Sequence, residues 1–477
     1  MWKFDHSYLQ LPETFYSKVE ETPVQSPKMF MWNDELAKEI GLDDLHEQEK
    51  VDVFSGSELP ESSAKIAQAY AGHQFGNFTM LGDGRALLIG EQQKPNGERV
   101  DIQLKGSGRT PYSRSGDGRA ALKPMLREYV ISEAMHGLGI PTTRSLAVVT
   151  TGELVHRETA LQGAILTRVA SSHLRVGTFE YARALKDDSM LKDLADYAIQ
   201  RHTPQFQDED NRYAYFLDEV IKRQAKLVSK WQLVGFIHGV MNTDNMTISG
   251  ETIDYGPCAF MDTYDPRTVF SSIDQDARYA YSNQPYMANW NLARLAEALV
   301  PLLSDSQQEG VEVAQEAIGR FKDLYQIEMI QGMRSKLGLM SEESGDGELI
   351  GELLSQMEQR KTDFTNTFRA LTLREWAETG LYGTKRFDDW LENYEARLSR
   401  QEATKEEVMS QMKRVNPAII PRNHIVEDVL RHANQGDSSH LIQFVEALKD
   451  PYSYSSDHDL YTKPPEGHQP YTTYCGT

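Results

Sequence analysis

Cysteine is scarce in this sequence, and long apolar runs are missing. Two cysteines among 477 residues argue against a disulfide scaffold and fit a reducing compartment. We find no apolar stretch long enough to span a bilayer. Residues 1–8 carry charges of both signs, which is not typical of a secretory signal. These absences predict a cytoplasmic protein without a membrane partner.

Basic residues are outnumbered by acidic ones. The chain has 50 lysines and arginines against 71 aspartates and glutamates, a formal net charge of −21. Such a surface repels phosphate backbones, so nucleic acid is not expected as a partner. A local basic pocket for a nucleotide is compatible with this charge. Hydrophobic residues make up 39%, which is enough for a packed core.

The patterning predicts four parts. Residues 1–60 have weak periodicity and are interpreted as an N-terminal extension. Residues 61–171 predict a strand-rich lobe with one helix, and residues 172–330 a larger, mainly helical lobe. Residues 331–477 predict a helical C-terminal extension that ends in a mobile tail. The expected class is α+β, with strands over residues 85–91, 100–105, 144–150 and 160–169 and helices over residues 122–138 and 213–236.

The strongest chemical signal is the segment from His238 to Asn245, which is followed by Asp254. We predict that residues 246–248 and 252–254 form a two-strand hairpin that brings Asp254 back beside Asn245. In protein kinases an Asn and an Asp in this order hold divalent metal at a triphosphate. Their oxygen ligands suit Mg²⁺ or Mn²⁺. The order therefore predicts a two-lobed, protein-kinase-like fold.

One position departs from the kinase pattern. Val240 stands where a kinase carries the aspartate that accepts the substrate proton, and valine accepts no proton. The chain is therefore either an inactive kinase relative or an enzyme with different chemistry. Asp244 is the best candidate for a relocated base, although a solvated turn aspartate is the alternative reading.

Lys105 and Glu128 form a second candidate pair. Lys105 ends the alternating strand, and Glu128 lies on the helix that follows. In kinases such a pair fixes the lysine against ATP phosphates. Glycine-rich segments at residues 82–84, 106–108 and 116–118 could let main-chain N–H groups approach phosphate. Arg168 and Arg175 offer planar donor groups suited to phosphate.

Taken together, these motifs resemble the selenoprotein O (SelO) family of kinase-like protein adenylyltransferases. The similar blocks are residues 70–76, 104–108, 238–246 and 254–257, and the resemblance runs over nearly the whole chain. It implies ATP bound in the orientation opposite to that in kinases. AMP would pass to Ser, Thr or Tyr hydroxyls of protein substrates, and pyrophosphate would leave. UMP transfer has also been linked to the family, so the choice of nucleotide stays open.

The resemblance also implies roles for single residues. The γ-phosphate would lie deep in the site, the metal would be Mg²⁺ or Mn²⁺, and the α-phosphorus would face the protein substrate. The residues implied are Lys105, Asp117, Gly118, Arg168 and Arg175 around the γ-phosphate, Gly82, Gly84 and Arg85 along the nucleotide, Asn245 and Asp254 at the metal, with Asp254 also at the nucleotide, and Asp244 as the base.

Two other functions stay open from the residues: a phosphotransferase with a displaced base, and an inactive kinase-like binding module. The two cysteines raise a further hypothesis. Cys475 stands where eukaryotic members of the resembled family carry selenocysteine, and Cys258 follows Asp254 by four residues. Redox control through a Cys258–Cys475 bridge, or through a mixed disulfide with another protein, is possible on this basis. We expect a packed, inert Cys258 and a reactive Cys475.

Overall fold

The computed structural model of the protein describes residues 1–467 and 471–474. Cys475 lies outside the described residues. Within them, the N-terminal part is built on an antiparallel sheet, and helices dominate the chain after residue 175. The predicted α+β class is confirmed in this form.

The strands pair antiparallel throughout their named ladders. Nine of those in the described chain form one sheet in the order β2–β4–β7–β8–β11–β10–β3, with β1 on β7 and β9 on β11; β5 with β6 and β12 with β13 form two small separate sheets. Their bounds are β1 Phe4–Asp5, β2 Tyr16–Lys18, β3 Lys28–Trp32, β4 Ile66–Gln68, β5 Ala71–Gln74, β6 Asn77–Met80, β7 Ala86–Gln93, β8 Arg99–Lys105, β9 Ala120–Ala121, β10 Arg144–His156, β11 Ala160–Ala170, β12 Phe236–Ile237 and β13 Ala259–Phe260.

The helices cover both faces of the sheet and build the rest of the chain. Their bounds are α1 Asp34–Glu39, α2 Glu47–Phe54, α3 Leu122–Gly137, α4 Val176–Ala184, α5 Asp188–His202, α6 Arg212–Val234, α7 Gln284–Leu303, α8 Gln307–Gly319, α9 Phe321–Lys336, α10 Asp346–Arg360, α11 Phe364–Leu373, α12 Lys385–Leu398, α13 Lys405–Lys413, α14 Asn423–Asn434, α15 Ser439–Leu448 and α16 Asp459–Thr462.

Alternation along β8 assigns its side chains to two faces of the sheet. Ile102 and Leu104 pack in the core under α1 and α2. Asp101, Gln103 and Lys105 point to the opposite face, where they are also buried. Helix α3 packs on this second face, against β10 and β11. The polar face of β8 is therefore enclosed, and its polar groups must find partners inside the protein.

The predicted regular elements agree closely with those observed. The helix predicted over residues 122–138 is α3, and the one over residues 213–236 is α6. The four predicted strands are β7, β8, β10 and β11, with β10 extending six residues further than expected, to His156. Helix α6 ends where Gly235 adopts a left-handed conformation with φ of 74°, a common way to stop a helix.

The hairpin predicted at residues 246–254 is wrong. Thr247 forms a bridge with Arg175, and Thr252 forms a bridge with Thr142, so the two segments pair outward with other parts of the chain. The turn is held by a side chain instead. Thr247 Oγ1 donates to the Glu251 carbonyl at 2.6 Å and accepts from the Glu251 N–H at 3.0 Å. Asp254 still returns to the site, although by a loop.

The two chain ends contact the parts between them. Strands β1, β2 and β3 of residues 1–60 belong to the main sheet. Near the other end, Thr473 bridges to Ser271, and its hydroxyl donates to the Pro257 carbonyl at 2.7 Å. The four predicted parts, and the mobility predicted for the tail, stay predictions. Among the described residues, no helix combines the length and apolar character needed to cross a membrane.

Candidate functional site

A cavity of about 820 Å³ opens beside the ends of β7, β8 and β11. It is bordered on the other side by the loop that follows β12. Eleven residues that the sequence singled out line this one cavity: Gly82, Gly84, Arg85, Lys105, Asp117, Gly118, Arg168, Arg175, Asp244, Asn245 and Asp254. Their roles toward a nucleotide or a metal stay predictions, but the fold brings all of them together.

Lys105 and Glu128 meet as the sequence predicts. Lys105 Nζ lies 2.6 Å from Glu128 Oε2, and both side chains are almost fully buried. Lys105 comes from the end of β8 and Glu128 from the second turn of α3. Glu128 does not line the cavity itself. Glu128 therefore lies behind the cavity wall and holds the ammonium group of Lys105 at that wall.

Asp254 is enclosed by three cations. Its Oδ1 atom accepts from Lys105 Nζ at 3.0 Å and from Arg168 Nη1 at 2.6 Å, and its Oδ2 atom accepts from Arg175 Nη1 at 2.8 Å. Burial raises the pKa of Asp254, but the positive charges of Lys105, Arg168 and Arg175 outweigh burial and hold that pKa well below its usual range. Both carboxylate oxygens are thus already engaged by side chains.

The backbone at Asp254 is unusual as well. Asp254 adopts a left-handed conformation with φ of 62°. For a residue other than glycine this conformation costs of order 1–3 kcal/mol and concentrates at functional sites. The cations that hold both carboxylate oxygens compensate for this strain.

Asp83 is a site residue that sequence reasoning missed. It lies between Gly82 and Gly84, is 2% exposed, and faces Arg175 with 3.8 Å between Oδ1 and Nη2. Its Oδ2 accepts from the Gln68 N–H and from Gln103 Nε2. Burial raises the pKa of Asp83, against the lowering effect of Arg175. The sequence places Asp83 in a glycine-rich segment expected near phosphate but gives no role for its side chain.

The buried charges of this cluster balance. Three cations stand against three carboxylates, so the cluster is neutral before any ligand arrives if all six groups are charged. The cations are Lys105, Arg168 and Arg175, and the carboxylates are Asp83, Glu128 and Asp254. In the described part of the chain, the buried Nε atoms of both arginines have no hydrogen-bond partner. These arginines therefore have donor capacity to spare for an anion.

Asp244 stands in a different environment. Its side chain lines the cavity but is largely buried, and its Oδ1 atom has no hydrogen-bond partner among the residues that the structure describes. Burial raises the pKa of Asp244 to about 6, and Arg175 opposes the shift. Arg175 Nη1 also donates to the Asp244 main-chain carbonyl at 2.7 Å. A carboxylate with this pKa is ionised at neutral pH yet more basic than an ordinary aspartate, as general base catalysis requires.

Gly72 of β5 makes room for the Asp244 carboxylate. A Cβ atom at Gly72 would lie 2.2 Å from Asp244 Oδ1, well inside van der Waals contact. The same hairpin is joined to the loop around Asp244 by main-chain donors. The His73 N–H donates to Thr243 Oγ1 at 2.7 Å, and the Phe75 N–H donates to Asn242 Oδ1 at 3.0 Å. Asn242 and Thr243 thus have structural roles that the motif alone did not indicate.

Asn245 and Asp254 fit a metal site of the kind in which a nucleotide supplies most ligands. Asn245 Nδ2 donates to the Val240 carbonyl at 3.0 Å, which orients the amide so that its oxygen would be the atom offered to a metal. Within residues 1–467 and 471–474, no group of three or more His, Cys, Asp or Glu side chains forms a metal cage. Two oxygen donors from the protein suit Mg²⁺ or Mn²⁺ when phosphates supply the other ligands.

The loop at residues 115–119 forms the outer wall of the cavity. Gly118 adopts φ of 70°, and a Cβ atom there would lie 2.0 Å from the Gly108 carbonyl oxygen. Asp117 accepts from Arg157 at 2.8 and 3.1 Å, and these hydrogen bonds lower its pKa. A carboxylate repels phosphate, so a nucleotide would meet main-chain N–H groups here, together with Arg157. Arg157 lines the cavity and was not predicted.

The two cysteines stand differently. Cys258 is fully buried beside the site, and burial raises the pKa of its thiol to about 12. Such a thiol is unreactive at neutral pH. Its environment agrees with a packed, inert residue. The proposed bridge to Cys475, and the reactivity of Cys475, stay predictions because that residue lies outside the described part.

Comparisons with known proteins identify the family of this chain. The family model described as "Protein adenylyltransferase SelO" matches residues 1–449. Among curated relatives, "Protein nucleotidyltransferase YdiU" of Geobacillus kaustophilus (strain HTA426) is 59% identical over all of this chain and 99% of its own length. The proteins of that name from Anoxybacillus flavithermus (strain DSM 21510 / WK1) and Brevibacillus brevis (strain 47 / JCM 6285 / NBRC 100599) are 60% and 58% identical over all of this chain and 99% and 98% of their own. This chain therefore belongs to the SelO family of protein adenylyltransferases and is an enzyme of the nucleotidyltransferase class.

Proposed function

We propose that this enzyme transfers AMP from ATP to Ser, Thr or Tyr hydroxyls of protein substrates in a metal-dependent reaction. ATP would lie in a kinase-like cleft in the orientation opposite to that in kinases. The observation that carries the proposal is the buried cluster around Asp254. Lys105, Arg168 and Arg175 converge on one point at the inner wall of the cavity, where they would receive the terminal phosphate.

Binding of a nucleotide would replace the hydrogen bonds between Asp254 and the three cations of this cluster. Asp254 occupies donors of all three cations before ATP binds. Phosphate oxygens would take over these donors, and Asp254 would then be released to the metal. The charges of the cluster cancel before ATP binds. This balance supports such an exchange, because ATP brings negative charge and the metal ion brings positive charge to the site at the same time. The strained backbone of Asp254 would keep its carboxylate at the boundary between cations and metal.

The position of Asp244, the proposed base, supports transfer of AMP rather than of phosphate. Val240 lines the cavity where a kinase has its proton acceptor. Asp244 lies four residues further on, buried beside Arg175. A nucleotide whose terminal phosphate is held at Lys105 and both arginines would turn its α-phosphorus toward the cavity mouth. Asp244 would then be the carboxylate that serves the attacking hydroxyl.

The proposed chemical step is an attack by the substrate hydroxyl on the α-phosphorus of ATP. Asp244 accepts the proton of the substrate hydroxyl while the oxygen forms a bond to the α-phosphorus. The bond from the α-phosphorus to the oxygen bridging to the β-phosphate breaks, and pyrophosphate leaves. Asn245 and Asp254 would hold Mg²⁺ or Mn²⁺, which neutralises phosphate charge in such reactions. Lys105, Arg168 and Arg175 hold the terminal phosphate, which departs with the leaving group.

A labelling experiment tests the bond that breaks. With ATP labelled at the α-phosphate, we expect covalent label on the enzyme itself and on casein as an acceptor protein. With ATP labelled at the γ-phosphate, we expect none. Covalent γ label at a comparable rate would establish a phosphotransferase instead, and no label from either would favour an inactive binding module. Competition by unlabelled UTP would measure the nucleotide preference.

Lys105→Met is expected to weaken nucleotide binding and transfer far more than it weakens the fold. Lys105 lines the cavity. Its two carboxylate partners, Glu128 and Asp254, would each still be paired with Arg168 after the substitution. Calorimetric binding of ATP with Mn²⁺, followed by thermal unfolding, measures both effects. Lys94→Met is the matched control, because Lys94 also bridges two carboxylates, Glu39 and Glu98, at the surface. Destabilisation as large as a core deletion, about 2–5 kcal/mol, with ATP affinity retained would instead mark Lys105 as structural.

A further inference from the structure

The hairpin of β5 and β6 is joined to the loop that follows β12, at the rim of the cavity, by its inner strand and its turn. Strand β5 donates through His73 to Thr243, and the turn residue Phe75 donates to Asn242. His73 also pairs with Glu180 of α4. Strand β6 pairs with β5 alone among the described strands. One strand of the hairpin is therefore fixed to the site, and the other presents an edge that no other described strand pairs with.

The register shows which groups of β6 face that edge. In an antiparallel pair, residues alternate between those whose main-chain groups face the partner strand and those whose groups face away. The His73 N–H donates to Thr243 and so faces away from β6. Phe78 lies opposite His73, and its N–H and C=O therefore face the unpaired edge. Met80 has the same orientation, and its carbonyl accepts from Arg114 Nη2 at 2.8 Å.

The edge combines apolar side chains with cations at both ends. Phe78 and Met80 are each 47% exposed. Arg114 lies at the Met80 end, and the Arg278 guanidinium lies 3.7 Å from the position of a Cβ at Gly76, which precedes β6. Within residues 1–467 and 471–474, no carboxylate oxygen lies within 4.0 Å of either guanidinium group. The Arg278 guanidinium instead lies over the rings of Tyr279 and Trp290, so neither cation is paired with a described carboxylate in a chain of net charge −21.

We propose that β6 is the docking strand for the protein substrate, which adds an extended segment to this edge. The segment would pair with the main chain at Phe78, place apolar side chains on Phe78 and Met80, and set acidic side chains against Arg114 and Arg278. Exposed strand edges bind extended peptides in this way in other proteins. The proposal rests on the proposed function, since it names the class of acceptor for the same site.

The geometry also places the modified hydroxyl outside the paired segment. Gly72 of β5 lies against Asp244, and Gly72 is paired with Thr79 of β6. A strand added beyond β6 would lie two strand spacings from β5, roughly 10 Å. The acceptor hydroxyl must cover that distance to reach Asp244. It therefore belongs to a residue about three or more positions along the chain from the paired segment, at about 3.3 Å per residue.

Peptide binding and hydrogen exchange test the docking strand without using transfer. The probe is a fluorescein-labelled peptide in which valine alternates with glutamate over six residues, followed by two glycines and a threonine. We expect saturating peptide to slow amide exchange of residues 77–80 by about tenfold or more. A peptide with lysine in place of glutamate, and one with N-methylated valines, should give no protection. Unchanged exchange of residues 77–80 in the presence of bound peptide would overturn the proposal.

Charge reversal at the two ends gives a second measurement. Arg114→Glu with Arg278→Glu is expected to weaken peptide binding in fluorescence anisotropy by at least about tenfold. Lys385→Glu, an exposed lysine of α12, is the matched control and should leave affinity unchanged. Equal affinity in the double variant and the control would contradict docking at β6. AMP transfer to the peptide without protection of residues 77–80 would refute the docking strand while leaving the proposed function intact.

Discussion

Replacing Asp254 with alanine is expected to abolish transfer and to remove the metal dependence of nucleotide binding. In the wild type, Asp254 neutralises Lys105, Arg168 and Arg175 in the absence of ligand. Its removal leaves a buried cluster with an excess positive charge. ATP without metal should therefore bind the variant more tightly than the wild type, by about tenfold or more, which equals about 1.4 kcal/mol. Added Mn²⁺ should no longer strengthen binding, because one of two protein oxygen donors is gone.

Calorimetry of ATP and of inorganic tripolyphosphate, each with and without Mn²⁺, measures this effect. Tripolyphosphate isolates the phosphate contacts from those of the nucleoside. Electron paramagnetic resonance of Mn²⁺ gives an independent readout, since the variant should bind no additional Mn²⁺ when ATP is present. Metal-stimulated ATP binding at wild-type strength in Asp254→Ala would contradict the assignment of Asp254 to the metal.

Loss of a buried carboxylate also destabilises the fold, by about 3–5 kcal/mol where a buried ion pair is broken. Asp262→Ala is a matched control, because Asp262 pairs with the buried Arg422 away from the cavity. Both variants should lower the unfolding temperature, but only Asp254→Ala should change ATP binding. A parallel change in ATP affinity in both would show that the effect arises from stability.

Asp244→Asn is expected to slow the transfer step by about 10²–10⁴-fold, the usual contribution of a general base. Asparagine preserves the shape of a side chain that lies directly against Gly72, but it accepts no proton at neutral pH. Affinity for ATP and metal should stay within a few-fold of the wild type. Single-turnover transfer from α-labelled ATP, measured at saturating nucleotide, reports the chemical step.

Thr243→Val separates chemistry from loop position. Thr243 accepts the main-chain hydrogen bond from His73, so its loss loosens the same loop without removing the carboxylate. We expect Thr243→Val to slow transfer much less than Asp244→Asn. Equal losses in the two variants would assign Asp244 to loop structure, and transfer at the wild-type rate in Asp244→Asn would exclude it as the base.

Local patterning was enough to predict much of the fold. The period-2 pattern of residues 100–105 predicted one apolar face, and Ile102 and Leu104 do share a buried face. Helix α3 begins at Leu122 and ends at Gly137, within a residue of its predicted bounds. Such elements are predictable because the spacing of side chains along a helix or strand is a local property.

The periodicity of the sequence did not indicate the structure where a side chain replaces main-chain pairing, or where the packing partner is far away in the sequence. Residues 246–254 look like a hairpin, yet the Thr247 hydroxyl bonds to the Glu251 main chain, and the two segments pair elsewhere. Residues 1–60 have weak periodicity, yet β1, β2 and β3 join the main sheet. Neither outcome is visible in the periodicity of the segment itself.

The candidate site was likewise predictable from the sequence only in part. Motifs and the resemblance they carry placed Asp244, Asn245 and Asp254 beside one another, because the three lie within a span of eleven residues. Lys105 and Asp254 are 149 residues apart, and Arg175 and Asp254 are 79 apart. That these cations engage both oxygens of Asp254 is a property of the packed sheet and loop, as is the burial of Asp83.

Composition, periodicity and motifs were sufficient to predict the class of enzyme, most of the main helices and strands, and eleven of the residues that line the cavity. Packing shows that Asp254, the proposed metal ligand, is held by Lys105, Arg168 and Arg175, that β5 covers Asp244, and that no described strand other than β5 pairs with β6. The physical reason is that periodicity and motifs report which groups a segment can offer. Packing across long stretches of chain decides which of those groups meet, and which are left without a partner.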